Sequence, residues 1–162
     1  MSCDVAVAAF LMFASAGPGT QAHLTPPHLM AAVAVAPPSV ASEPLFKDII
    51  TRADLLRSEV ETFRKAISGV DKPMPLPGFD GFTAQIGELA ALDQKGHEVL
   101  VARGATDDLK CILHGISQDL SVKLTAVSSA KSGKDEDLAL RDMGFLLRDN
   151  VEVITAPPQP AA

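Results

Sequence analysis

Between Ser42 and Gly69 the apolar side chains Phe46, Ile49, Ala53, Leu56, Val60, Phe63 and Ile67 follow one another at gaps that alternate between three and four residues. That spacing winds one narrow apolar seam down a helix and leaves Asp48, Arg52, Asp54, Arg57, Glu59, Glu61, Arg64 and Lys65 outside it. The period is helical, not that of a strand. Ser42 is the expected N-cap, with Glu43 and Pro44 in the first turn, and Gly69 is the expected left-handed stop. Such a seam must be covered by other helices, and the spacing alone leaves open whether they belong to the same chain or to a neighbour.

Similar patterns recur downstream. A second helix is expected from Phe82 to Arg103, with Ile86, Leu89, Leu92, Val99 and Leu100 on its apolar side and Gly104 closing it. Gly87 and Gly96 weaken it, each by about 1 kcal/mol relative to Ala. A third runs from Asp107 to Ala130, with Thr106 as N-cap, Asp107 and Asp108 in the first turn, and Leu109, Ile112, Leu113, Ile116, Leu120, Leu124 and Val127 at helical spacing. Ser132-Gly133-Lys134 breaks it, and Asp135-Glu136-Asp137 opens a fourth through Leu140, Met143, Leu146 and Leu147. So short a break favours an antiparallel hairpin. Val151 to Ile154 either extend that helix or form a strand-like end. Between the first two helices, Pro73, Pro75 and Pro77 withhold backbone donors and predict a stiff extended connector. The fold class is therefore all-α, amphipathic helices ending in a C-terminal helical hairpin.

Residues 1–41 carry one formal charge, Asp4, and read as a disordered Ala/Pro-rich arm before a helical domain at 42–154 and a tail at 155–162. Within the arm, Val5 to Ala16 is as long as the apolar core of a secretory signal, and Ala14-Ser15-Ala16 has the form of a cleavage site. No Lys or Arg precedes it, since the first basic residue is Lys47. Gly17-Pro18-Gly19 interrupts the run well short of the roughly 20 residues needed to span a membrane, so no spanning helix is expected. A net charge of −6 over 162 residues, without Trp or Tyr, argues against a nucleic-acid surface.

Motifs that carry chemistry are sparse. Cys111 and His114 share a helix face, which suits half a zinc site or a thiol beside a base, but further ligands are missing nearby and His97 could join only through the fold. A small thiol beside an imidazole is the simpler reading, and Cys3 and Cys111 do not make a disulfide framework. Ser128 to Asp135 fails as a phosphate-binding loop, with Ser128 at the first glycine position and Asp135 where a hydroxyl is needed. The chain is expected to be no enzyme, to hold no cofactor or metal, and to take no small-molecule substrate.

The hairpin carries Asp108-Leu109 at its start, Ser117-Gln118-Asp119-Leu120-Ser121-Val122 along its first helix, Val127-Ser128-Ser129 near that helix's end and Leu146-Leu147-Arg148 at its close. On these residues, the last third of the chain resembles the inner-rod subunits of type III secretion systems, and the nodulation-associated members match best in size and layout. It departs from them at Lys131 to Asp137, which stands as an insertion, and in extending beyond Arg148. The resemblance implies a structural or exported accessory subunit in the bacterial envelope, or secreted without cleavage, that assembles with protein partners, possibly copies of itself. The assembly seam would comprise Phe46, Ile49, Leu56, Val60, Phe63, Ile67, Leu109, Ile112, Ile116, Leu120, Leu124, Leu146 and Leu147. The alternative expectation is a secreted or periplasmic helical binding module released by cleavage near Ala16.

Overall fold

The computed structural model describes residues 39–105 and 108–156. The arm up to residue 38, with its signal-like run and Cys3, lies outside the described residues, as do Thr106, Asp107 and residues 157–162. The fold is all-α: α1 (Pro44–Ala66), α2 (Phe79–Ala102), α3 (Leu109–Ser128) and α4 (Gly133–Thr155), with no strand among the described residues.

The seam on α1 forms as its spacing predicts, and Phe46, Ile49, Ala53, Leu56, Val60, Phe63 and Ile67 are all buried. The cap differs. Glu43, not Ser42, occupies the N-cap and makes no side-chain bond there, while Pro44 supplies a preset helical φ to the first turn. The Glu43 carboxylate instead accepts two hydrogen bonds from Arg103, at 2.7 and 2.8 Å, which ties the start of α1 to the end of α2. Gly69 does take the left-handed conformation, at φ 76°, just beyond the helix end. Ahead of the helix, Val40 and Ala41 already pack against the core.

The connector leads into Gly78, also left-handed at φ 82°, and α2 starts at once with Phe79, three residues before the expected Phe82. Phe79 and Phe82 form edge contacts with Phe63 at centroid distances of 6.3 and 5.3 Å, so aromatic packing pins this end of the bundle. Gly104, at φ 68°, follows α2 as expected. Asp108 takes the N-cap of α3 without a side-chain bond.

Gly133 and Lys134, expected in the break, belong to the first turn of α4. Ser132 is its N-cap: the hydroxyl accepts from the Asp135 amide at 3.1 Å and donates to the Asp135 carboxylate at 2.8 Å. The connector crosses this point, where the Gly133 amide donates to the Asp71 carbonyl at 3.0 Å and the Met74 amide donates to buried Glu136 at 3.1 Å. Val151 to Ile154 continue the helix.

Each helix runs antiparallel to its neighbours. Arg52 of α1 pairs with Glu88 of α2, His97 of α2 bonds Lys110 of α3, Lys123 of α3 pairs with Asp142 of α4, and Arg64 of α1 pairs with Asp137 of α4. The packing order is thus a ring, α1 on α2, α2 on α3, α3 on α4, α4 on α1. The two diagonals, α1 to α3 and α2 to α4, have no Cα pairs within 8 Å among the described residues.

Candidate functional site

The buried positions of α2 are Phe82, Ile86, Leu89, Asp93, Gly96 and Leu100, and those of α4 include Leu140, Met143, Leu147, Asn150 and Ile154. Both series keep the three-four alternation of α1. On α2 one seam position, Asp93, is polar, on α4 two are, Glu136 and Asn150, and Asp93 meets Asn150 across the diagonal of the bundle. Asn150 Nδ2 donates to Asp93 Oδ2 at 2.8 Å, with both residues 0 % exposed. The other oxygen of each, Asp93 Oδ1 and Asn150 Oδ1, is buried with no protein hydrogen-bond partner. Burial pushes the Asp93 carboxyl up from 3.8 to about 8, against the smaller opposing pull of the Asn150 bond.

The expected seam of α2 placed Leu92 and Val99 on the apolar side, but both are half-buried and flank the true line of Asp93 and Gly96. The signal was present. Continuing the alternation from Ile86 and Leu89 lands on Asp93, Gly96 and Leu100, and from Met143 and Leu147 it lands on Asn150 and Ile154. Gly96 is closely packed, because a Cβ there would approach Leu113 Cδ1 to 3.1 Å and Phe46 Cε1 to 3.3 Å.

His97 does reach His114 through the fold, with ring centroids 4.9 Å apart. His97 Nδ1 donates to the Lys110 carbonyl at 2.6 Å, and His114 Nδ1 donates to Gln94 Oε1 at 2.9 Å, which fixes both rings as the Nδ1–H tautomer when neutral. The His114 Nε2 then accepts from Gln118 at 3.0 Å. Cys111 is disulfide-bonded, which corrects the expectation of a thiol at this position. No three His, Cys, Asp or Glu side chains among the described residues are placed to hold a metal ion.

A groove of about 290 Å³ between α1 and α4 is lined by Arg57, Arg64, Arg141 and Arg148 around Phe145. Phe145 is 48 % exposed, with the guanidinium carbons of Arg141 and Arg148 at 5.8 and 5.2 Å from its ring centroid. Every one of these arginines also pairs with a carboxylate of its own chain: Arg57 with Asp54, Arg64 with Asp137, Arg141 with Asp142 and Arg148 with Asp149. The groove is therefore rich in donors but close to neutral. Among other large apolar residues, Leu55 and Val122 are exposed, at 64 % and 61 %.

The residues expected to form an assembly seam lie inside the bundle. All are buried except Ile112, Leu124 and Leu146, which pack half-buried against the same core. Their apolar surface is covered by the chain's own helices. No protein-family model, curated protein or solved structure matches the chain. No helix among the described residues is long and apolar enough to cross a membrane.

Proposed function

We propose that this chain is a non-enzymatic helical subunit that acts through protein contacts, as a structural or exported accessory component of a bacterial type III secretion system. The secretion setting rests on the sequence resemblance of the hairpin to inner-rod subunits. The observation that carries the contact role is on α3, where Val122, within the stretch that bears the resemblance, stands 61 % exposed as the large apolar side chain on a face it shares with exposed Gln118, Asp119, Thr125 and Ala126. Phe145 on α4, between two guanidiniums, offers a second contact point. Because the seam residues are covered within the chain, assembly would use these surface positions and leave the bundle intact.

Sedimentation of the full chain over a range of concentrations tests this. Reversible association that is lost in Val122→Asp with Phe145→Asp, while helix content is kept, supports the reading. A chain that stays monomeric throughout overturns the self-assembling form of it.

Closure of the seam within one chain also favours the second reading, a self-standing helical module in the periplasm or outside the cell. The intact mass from native cells separates the two. Loss of residues through about Ala16 together with a stable monomer selects the module, whereas a full-length chain in the envelope or outside the cell selects the secretion subunit.

A further inference from the structure

We propose that Asp93 and Asn150 close a two-bond ring across the α2–α4 diagonal when Asp93 is protonated, and that ionisation of Asp93 breaks the ring, making the cohesion of the bundle proton-dependent. One bond is in place, from Asn150 Nδ2 to Asp93 Oδ2. The second follows from the two oxygens left over. A carboxylate and an amide oxygen are both acceptors, so Asp93 Oδ1 and Asn150 Oδ1 have nothing to give each other while Asp93 is charged. A proton on Asp93 Oδ1 turns that oxygen into a donor and satisfies both atoms with one bond. Ionisation releases the proton to solvent and leaves a buried charge facing a buried amide oxygen, which costs far more inside the bundle than in water.

No other ionisable group competes for this role. The buried residues of α1 and α3 are apolar, and the only other buried ionisable side chain among the described residues is Glu136. Glu136 lies fourteen positions before Asn150 on α4, roughly 21 Å along the helix, and holds the Met74 amide. The charged and titratable groups nearer the pair have partners elsewhere. Arg52 of α1 binds Asp48 and Glu88, His97 of α2 binds the Lys110 carbonyl, and His114 of α3 binds Gln94 and Gln118. On α4, Arg148 and Asp149 pair with each other. The lowered solvation of Asp93, which raises its proton affinity, agrees with this arrangement.

Asp93→Asn supplies the missing donor at every pH, because an amide at 93 can give one bond to Asn150 and accept one from it. Urea unfolding of the full chain, parent beside Asp93→Asn, at intervals from pH 5 to pH 8 reads the effect. The parent's folding constant, taken relative to the variant's, is expected to fall by up to tenfold per pH unit over that range, as loss of one proton requires. Parallel profiles overturn the proposal. Infrared spectra of the folded parent at pH 6 give a reading that does not depend on the variant folding: a protonated-carboxyl carbonyl band is expected, and its absence also overturns the proposal.

Discussion

Gly96 on α2 stands against Phe46 on α1 so closely that a Cβ at position 96 would lie 3.3 Å from Phe46 Cε1, with Leu113 Cδ1 nearer still at 3.1 Å. Gly87, two and a half turns earlier on the same helix, is exposed with nothing within 4 Å of the same hypothetical atom. The two glycines cost the helix the same backbone entropy, but only one returns it in packing. Gly87→Ala is therefore expected to stabilise the bundle by about 0.5–1 kcal/mol, and Gly96→Ala by clearly less, because Leu113 and Phe46 must give way. Urea midpoints of the two variants decide this, and equal gains would show that the crowding at 96 is without consequence.

Gly133 is the stricter case. A Cβ there would drive into the Val70 carbonyl oxygen and come within 2.8 Å of the Val70 carbonyl carbon, both backbone atoms with no rotamer to escape into. Gly133→Ala should cost about 1–3 kcal/mol despite its better helix propensity, with the loss of the Gly133 to Asp71 hydrogen bond as a local sign in amide exchange. Ser132→Ala, which removes the cap but leaves the crossing intact, should cost about 1 kcal/mol without that local signature.

Leu120 and Val122 separate folding from the proposed assembly. Leu120 is 0 % exposed, so Leu120→Asp buries an unpaired carboxylate and should unfold the bundle or cost several kcal/mol. Val122→Asp changes an exposed position and should move stability by no more than about 0.5 kcal/mol. Circular dichroism melts of both, read beside their sedimentation, show whether any loss of association is a loss of contact or only a loss of fold.

The stability of the parent should fall as pH rises through neutrality. Asp93 titrates at 3.8 unfolded and at about 8 folded, so between those values the folded chain holds a proton that the unfolded chain has released. Stability from this group is fully present below about pH 4, declines by about 1.4 kcal/mol per pH unit, and is lost above about pH 8. Thermal midpoints across that window check the sign, and a midpoint that rises from pH 5 to pH 8 would count against it.

Partner removal at the same pair should be non-additive. Asn150→Leu leaves Asp93 with no bond and should cost about 1–3 kcal/mol, whereas Asn150→Leu combined with Asp93→Leu removes both polar groups and should recover most of that loss. A double-mutant cycle measures the coupling directly.

What the sequence determined by itself was the helical character of the chain and, on α1, the membership of its core. The three-four alternation on α1 is a local property, set by 3.6 residues per turn, and it names buried residues whatever covers them. Left-handed stops at Gly69 and Gly104 were legible for the same reason, since glycine bears no Cβ penalty there. Covering is not local. Only the tertiary structure decided that α1 closes against helices of its own chain, that Gly133 lies under the connector at Val70, and that His97 lies beside His114 across two helices. Asp93 and Asn150 show the boundary between the two. Each was marked in the sequence as a polar residue on an apolar seam, but that they share one hydrogen bond and leave two oxygens facing an apolar core depends on which helices lie diagonal to each other, and no helical period encodes that.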